Sequence, residues 1–256
     1  MGSAAFSAHY CPSTSRTKLR DADSAAHHCP LSIVGYANHN LSTSKYATVA
    51  PCFAGLGADG SFSLANVSAT GYDWESDWLY VMNPDDSSAD QTLMYLDSTT
   101  AASYSMAAGW YDFDTWEPFE EAVTIGTGFM TDFNSGTANL VYSGEVYTEP
   151  FSVDLRGSKY SILANALPRN VTMSEISATG YDWESDWLYI MNPDDSSADR
   201  TLMYLDATTA ASYSMTAGWY DYDTWESVDD LELAPGEGFM TDFNSGNVII
   251  NFPAAM

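Results

Sequence analysis

The chain has 256 residues, with 8 Lys and Arg against 35 Asp and Glu, and a formal net charge of -27. Such a charge excludes a main body that neutralises nucleic-acid phosphates, and an anionic membrane surface repels it as well. Aromatic residues make up 14% of the chain, which excludes a wholly disordered acidic protein. No apolar run approaches the roughly 18 residues of a membrane-spanning helix. We therefore expect a folded protein that binds no nucleic acid and does not insert into a membrane.

The first 31 residues differ in composition from the rest of the chain. They carry three basic and two acidic residues, a net charge of +1, whereas residues 32–256 carry a net charge of -28. They are rich in Ser and Ala and lack the apolar stretch of a secretory signal. We interpret residues 1–31 as an N-terminal extension that supplies a donor strand or an assembly arm.

Two of the three cysteines lie in this extension, where His9 precedes Cys11 and a His pair precedes Cys29. Two Cys with neighbouring His match the ligands of a zinc site, but the CxxC or HxxxH spacing of such sites is absent. A Cys11–Cys29 disulfide is the simpler interpretation for a secreted protein, and two free thiols are the third. Cys52 is then the odd thiol, either buried or paired between chains.

The remaining chain contains a long internal repeat. Residues 68–117 and 177–226 are identical apart from five positions, and a GFMTDFNSG segment recurs from Gly128 and from Gly238. The five differences are Val81/Ile190, Gln91/Arg200, Ser98/Ala207, Ala107/Thr216 and Phe113/Tyr222. We predict two β repeats of about 110 residues each, over 32–143 and 144–256, which is enough for a small sandwich core.

Short apolar and aromatic runs between turn signals predict strands in both repeats. In chain order these runs are residues 77–82, 92–96, 128–133, 140–142 and 248–250. No stretch keeps the spacing of an amphipathic helix for long. Residues 101–104 allow one helical turn, but the preceding Thr99 and Thr100 favour a strand. The predicted fold class is all-β, with two tandem β-sandwich-like repeats behind the extension.

Clustered aspartates follow the first predicted strand of each repeat and suggest a calcium site. Calcium takes six to eight oxygen ligands, which Asp, Ser and backbone carbonyls supply. The spacing is not that of an EF-hand, and a solvated turn with Asp at turn positions is the alternative. A second, weaker pair of candidates is Asp112 with Asp114, repeated as Asp221 with Asp223. The candidate calcium ligands are Asp85, Asp86, Asp90, Asp194, Asp195 and Asp199.

Aromatic residues alternate with acidic ones in two segments of each repeat. Tyr72, Trp74 and Trp78 form the first segment, and a Gly-Trp-Tyr run with a Trp five residues later forms the second. Exposed rings beside carboxylates suit stacking on sugars, whereas a strand with one buried aromatic face shows the same pattern. The candidate glycan-binding residues are Trp110, Tyr111, Trp116, Trp219, Tyr220 and Trp225.

Catalytic motifs are missing from the sequence. It contains no Gly-rich phosphate loop, HExxH or GxSxG motif, and His39 is the one histidine of the repeats. Glycoside hydrolysis needs two carboxyl groups held across a cleft, which sequence spacing does not show. We therefore expect a protein that is not an enzyme and needs no cofactor, with calcium as the one candidate ion.

Several short motifs resemble those of uncharacterised secreted bacterial surface proteins built of tandem β repeats. Those proteins carry VGY, GKY and PGxGF strand motifs. Here Val34-Gly35-Tyr36, the Ser-Lys-Tyr segments at 44–46 and 158–160, and Pro235-Gly236-Glu237-Gly238-Phe239 correspond, over residues 33–252. The first repeat departs from the pattern, with Ile125-Gly126-Thr127 before Gly128. The resemblance implies export and an extracellular or cell-surface location, and it carries over no catalytic residue.

These patterns favour an extracellular structural protein that assembles with itself into a surface filament or layer. Exposed edges of β units accept a strand from a neighbour, and the extension is long enough to supply one. The alternative is a glycan-binding or adhesive β module, bivalent because the unit is doubled and stabilised by calcium if the Asp loops bind it. The partners we expect are therefore further copies of the chain or a carbohydrate.

Overall fold

The computed structural model of the chain describes residues 3–7, 34–41, 45–52 and 62–255. Antiparallel strands dominate these residues, which confirms the all-β fold class. We call the part up to residue 145 the N-terminal half and the part from residue 151 the C-terminal half. No helix of the described residues is long and apolar enough to cross a membrane.

Among the described residues, eleven strands belong to the N-terminal half and ten to the C-terminal half. The first set is β1 (Ser3–Ser7), β2 (Val34–Asn40), β3 (Thr48–Val49), β4 (Phe62–Ser63), β5 (Val67–Thr70), β6 (Asp77–Met82), β7 (Ala89–Leu96), β8 (Gly109–Asp112), β9 (Ala122–Val123), β10 (Phe129–Phe133) and β11 (Asn139–Glu145). The second set is β12 (Phe151–Asp154), β13 (Ile162–Ala164), β14 (Val171–Thr172), β15 (Ser177–Thr179), β16 (Asp186–Met191), β17 (Ala198–Leu205), β18 (Gly218–Asp221), β19 (Glu232–Leu233), β20 (Gly238–Phe243) and β21 (Ile249–Phe252).

Over the same described residues, each half forms two main sheets and one short strand pair. In the N-terminal half the sheet orders are β1-β2-β11-β5 and β3-β10-β6-β7-β8, with β4 paired to β9. In the C-terminal half they are β12-β21-β15 and β13-β20-β16-β17-β18, with β14 paired to β19. The two five-stranded sheets thus use their strands in the same order, and β12 and β15 flank β21 as β2 and β5 flank β11.

The core of each half lies between its two main sheets, as in a β-sandwich. In the N-terminal half, Leu140 and Tyr142 from β11 share one buried cluster with Leu79, Leu93 and Phe129 from the five-stranded sheet. The C-terminal half has the corresponding cluster from β12, β21 and the second five-stranded sheet. Alternation along each strand produces this arrangement, because successive side chains point to opposite faces of the sheet.

The outer face of each five-stranded sheet is also covered. Leu93 of β7 faces the core, so Met94 on the opposite face needs a cover of its own. Tyr111 and residues from the segments after β5, β7 and β8 supply it. We call this group the outer-face cluster; in the N-terminal half it comprises Met94, Leu96, Ala101 and Tyr111, with partly buried Trp74, Trp78, Met106, Phe113 and Trp116.

The predicted strand over residues 101–104 is wrong. The chain forms an α-helix there, α1 (Ser98–Ser103), and again in the C-terminal half, α2 (Ala207–Ser212). The Asp97 carboxylate caps α1 by accepting from the Thr100 N–H group at 2.7 Å. This cap satisfies one of the N–H groups that a helix start leaves free, which outweighs the strand preference of the threonines.

The two halves contact each other through reciprocal backbone hydrogen bonds. The Pro193 carbonyl accepts from the N–H groups of Lys45 (2.9 Å) and Tyr46 (3.2 Å). In the same way the Pro84 carbonyl accepts from the N–H groups of Lys159 (2.8 Å) and Tyr160 (3.2 Å). An apolar cluster built around Met82, Ile162 and Met240 lies at this contact, which we call the reciprocal contact.

The predicted domain limits at 32–143 and 144–256 stay a prediction. Strand β11 continues from Asn139 to Glu145, and Gly144 and Glu145 still pair with Gly35 and Val34 of β2. The described chain therefore runs through the predicted limit without a break in the sheet.

Candidate functional site

Two of the predicted ligand-binding tryptophans are core residues. Trp110 is 4% exposed and Trp219 is 0% exposed. Their indole Nε1–H groups donate to the backbone carbonyls of Val67 (2.9 Å) and Ile176 (2.8 Å) respectively. The prediction that these indoles stack on a ligand is wrong, because each fills the space between the two sheets of its half. The alternative interpretation, a strand with a buried aromatic face, is confirmed here.

The two neighbouring tyrosines are buried as well. Tyr111 and Tyr220 lie beneath the outer surface of their halves, and their hydroxyl groups donate at 2.8 Å to the carbonyls of Ala107 and Thr216. Satisfied hydrogen bonds and burial leave neither ring face open to a ligand. The prediction that Tyr111 and Tyr220 form a binding surface is therefore also wrong.

The remaining predicted tryptophans, Trp116 and Trp225, lie in aromatic clusters at the surface. Trp116, Trp74 and Tyr104 contact one another, and the three pairs have ring centroids 5.2–5.8 Å apart and ring planes inclined by 58–75°. We call these three residues the first triad. The second triad has centroids 5.5–5.6 Å apart and angles of 55–77°, and it consists of Trp183, Tyr213 and Trp225.

Three separate segments bring the first triad together. Trp74 follows β5, Tyr104 is the C-cap of α1, and Trp116 lies in the turn after β8. Trp74 and Trp116 pack against the buried members of the outer-face cluster. Tyr104 remains 48% exposed and its counterpart Tyr213 remains 47% exposed. Each triad is thus a partly supported aromatic surface rather than an extension of the core.

The turn that carries Trp116 holds it in an unusual backbone conformation. Its φ is +62°, and that of Trp225 is +58°. Bulky side chains rarely adopt this left-handed region, which glycine and asparagine tolerate best. The Asp112 carboxylate orders the turn by accepting from the Thr115 N–H and hydroxyl groups at 2.8 Å, and the Trp116 N–H group donates to the Asp112 carbonyl at 2.9 Å.

The surroundings of the triads are acidic. Asp73, Glu75 and Asp114 adjoin the first triad in sequence and are exposed. Every basic residue whose side chain the structure describes has a carboxylate partner elsewhere. These ion pairs are Lys45–Asp132, Arg156–Asp154, Lys159–Asp242, Arg169–Glu175 and Arg200–Asp221.

The predicted calcium loops form tight, self-contained turns. The Asp85 N–H group donates to Asn83 Oδ1 at 2.9 Å, and Asp86 Oδ1 accepts from both the hydroxyl and the N–H group of Ser88. The bonds from Ser88 lower the pKa of Asp86, and the same arrangement lowers the pKa of Asp195. Asp90 and Asp199 lie on the strands that follow.

No group of three or more His, Cys, Asp or Glu residues that could hold a metal ion occurs among the described residues. The hydrogen bonds of Asp86 and Asp195 account for their conformation without an ion. Calcium binding at Asp85, Asp86, Asp90, Asp194, Asp195 and Asp199 stays a prediction.

One of the five sequence differences changes the second pair of calcium candidates. Arg200 Nε donates to Asp221 Oδ2 at 3.0 Å, whereas Gln91 at the corresponding position contacts Glu121 instead. Burial opposes a low pKa at Asp221, but hydrogen bonds from Thr224 and Arg200 outweigh it and lower the pKa. The Arg200 guanidinium thus binds the Asp221 carboxylate, which the calcium hypothesis treats as a candidate calcium ligand.

The cysteine predictions are tested at one position. Cys11 and Cys29 lie outside the described residues, so their disulfide stays a prediction, as does the zinc alternative. Cys52 is a free thiol that is 1% exposed, and burial raises its pKa to about 12. The buried interpretation of the odd thiol is confirmed.

The N-terminal extension contributes a strand to a sheet edge. Strand β1 pairs with β2 over five residues, from Ser3 opposite Asn38 to Ser7 opposite Val34. The C-terminal half has no strand at the corresponding position beside β12 among the described residues. The two halves therefore differ at this edge.

The sequence predicts a binding role for Trp116 and Trp225 but does not reveal their partners. Its pattern leaves Trp74 either exposed or on a buried face, and it predicts no surface role for Tyr104 or Tyr213. The signal for Tyr104 is the N-cap at Asp97, which predicts a helix and so places this tyrosine at the helix end.

Comparisons with known proteins give no relative. No family model matches the chain, no curated protein matches its sequence, and no solved structure matches its fold. The resemblance to secreted bacterial repeat proteins therefore stays an expectation carried by short motifs.

Proposed function

We propose that this chain is a structural subunit, not an enzyme, that acts outside the cell or at its surface and assembles with further copies of itself. The observation that carries the proposal is the pairing of β1 with β2 at the end of a sheet. Assembly follows if β1 of one copy pairs with β2 of the next copy in place of its own.

The connection between the two strands permits this exchange. Twenty-six residues separate Ser7 from Val34, and the contact itself is a ladder of backbone pairs. A neighbouring copy offers the same backbone groups, so the pairing in trans replaces the pairing in cis at little cost. Because the donor and acceptor surfaces differ, the contact is head-to-tail and generates rings or filaments.

Charge favours the same contact. The extension carries +1 and the rest of the chain -28. Charge complementarity raises the rate at which the extension of one copy meets the body of another, while the body charge keeps free subunits soluble.

The second candidate acceptor, β12, is protected against pairing. It has four residues, Pro150 precedes it without an N–H group to donate, and Asp154 at its end forms an ion pair with Arg156. Proline, charge and a short length are the usual means of blocking an edge strand. We therefore assign the acceptor role to β2.

Engineered disulfides distinguish pairing in cis from pairing in trans. Ala4 lies directly opposite Ala37, and residues opposite each other in antiparallel strands are about 4.5–5.5 Å apart, within reach of a disulfide. One preparation carries Ala4→Cys and another carries Ala37→Cys with a size tag, both with Cys11→Ser and Cys29→Ser. After mixing and oxidation we expect a cross-linked heterodimer on a non-reducing gel.

The matched control is the chain that carries both substitutions. If it closes into a monomer and the mixed single variants never cross-link, the strand pairs only in cis and the proposal is wrong. Deletion of residues 1–31 supplies a second test. We expect the deletion to abolish filaments or sheets in negative-stain images and oligomers in mass photometry, and a deleted chain that forms the same polymer contradicts the proposal.

A further inference from the structure

Each triad presents three electron-rich rings at steep mutual angles on the protein surface. The ring centroids lie within 5.8 Å of one another, so the three rings of each triad form one continuous aromatic surface. Tyr104, Tyr213 and Trp225 are among the most exposed large hydrophobic side chains of the described residues. The arrangement occurs in both halves, so the chain carries two such surfaces.

Backbone strain supports a role for the indoles beyond packing. A left-handed φ is unfavourable at a residue other than glycine, and strained residues concentrate at binding sites. Trp116 and Trp225 accept this cost at positions where glycine or asparagine would relieve it. Full burial of the indoles does not compensate for this strain, since Trp116 is half-buried and Trp225 is 37% exposed.

Charge selects the class of ligand. Carboxylates adjoin both triads, at Asp73, Glu75 and Asp114 in the first and at Asp182, Glu184 and Asp223 in the second. The cation–π contacts seen in the described residues lie elsewhere, at Lys45 over Tyr46 and at Lys159 over Tyr160. Among the described residues no lysine or arginine therefore lies over a triad, and the negative field of the protein attracts cations and repels anions.

We propose that each triad binds an organic cation, specifically a quaternary ammonium head group of the choline type. Such a cation is attracted by the faces of Trp and Tyr rings and by the neighbouring carboxylates at once. A neutral sugar also stacks on aromatic rings but gains nothing from the negative field. The proposal goes beyond self-assembly and does not depend on exchange of β1.

Binding of choline chloride to the full chain tests the proposal. We expect two equivalent sites by calorimetry at low salt, and shifts of the Trp74 and Trp116 indole N–H signals in NMR spectra. Tyr104→Ala leaves one site, and Tyr104→Ala with Tyr213→Ala leaves none. Tyr222→Ala is the matched control, because Tyr222 is an exposed tyrosine three residues before Trp225 whose ring contacts Trp187 and no member of the triad.

A neutral probe separates cation binding from apolar stacking. The compound 3,3-dimethylbutan-1-ol has the shape of choline without its charge, and we expect it to bind at least about tenfold more weakly. Equal binding of the two compounds overturns the proposal. So does choline binding that survives the double Tyr variant with both sites intact, or a chain that binds glucose oligomers at the triads and ignores choline.

Discussion

Substitution of Trp219 by alanine tests the assignment of this residue to the core. The side chain is fully buried, it contacts the rings of Tyr181 and Tyr204, and its Nε1–H group donates to the Ile176 carbonyl at 2.8 Å. A ligand-binding indole at the surface would show none of these features together.

The expected loss of stability follows from those contacts. Truncation of a buried tryptophan to alanine costs about 3–5 kcal/mol. The Ile176 carbonyl also loses its partner in a buried setting, which adds about 1–3 kcal/mol unless water enters the cavity. We therefore expect Trp219→Ala to lower the free energy of unfolding by about 4–8 kcal/mol. Trp219→Phe keeps most of the volume and loses mainly the hydrogen bond, so its cost is smaller.

Urea unfolding followed by circular dichroism measures the effect. The matched control is Trp225→Ala, which removes an indole that is 37% exposed and is expected to cost about 1 kcal/mol. The reasoning is refuted if the two variants lose the same stability, or if Trp219→Ala costs less than about 1.5 kcal/mol. In that case the indole would not be the core residue described above.

Three further predictions concern strain, charge and calcium. Ser105 and Ser214 have left-handed φ angles of +60° and +61°. Substitution of either by glycine relieves about 1–2 kcal/mol of backbone strain and costs about 0.5–1 kcal/mol through the greater entropy of the unfolded chain. We therefore expect each variant to melt at a higher temperature than the wild type, and a lower melting temperature contradicts the argument. Arg169→Ala removes the hydrogen bonds that lower the pKa of Glu175 to about 2, so NMR titration should show this pKa rising toward 4.5. Because the pKa of Glu175 is lower in the folded chain than in the unfolded one, the ion pair stabilises the fold above pH 4.5 and loses this effect as the pH falls toward 2. The unfolding free energies of wild type and variant should therefore converge near pH 2. A difference between them that persists at pH 2 contradicts this explanation. If the Asp loops bind calcium, a thermal melt in millimolar calcium shifts upward relative to one in chelator, and an unchanged melt contradicts the calcium hypothesis.

Local patterns were sufficient to predict much of the sheet structure. Strands β6, β7, β10, β11 and β21 lie at or next to the predicted runs, because an apolar run between turn residues has few other stable solutions. The helix at 98–103 departs from the prediction because the strand preference of Thr99 and Thr100 takes no account of the cap at Asp97. Side-chain capping outweighed that preference.

Burial of the aromatic residues could not be predicted from local patterns. Trp110 and Trp116 stand six residues apart among similar neighbours, yet one fills the core and the other reaches the surface. The difference arises from the turn ordered by Asp112, which reverses the chain between them. The first triad also needs Trp74 and Tyr104, thirty residues apart, and such contacts depend on the whole fold.

The edge strand β1 gives the molecule a polarity that its repeated sequence conceals. Two similar halves meet through matching surfaces, at Pro84 and at Pro193. A twofold contact of this kind uses both surfaces within one molecule and leaves neither free to bind a further copy. The halves remain distinguishable at the outer sheets, where β1 covers β2 and nothing in the described chain covers β12. A filament that grows by exchange of β1 therefore has two unlike ends, one with a free donor strand and the other with a free acceptor edge.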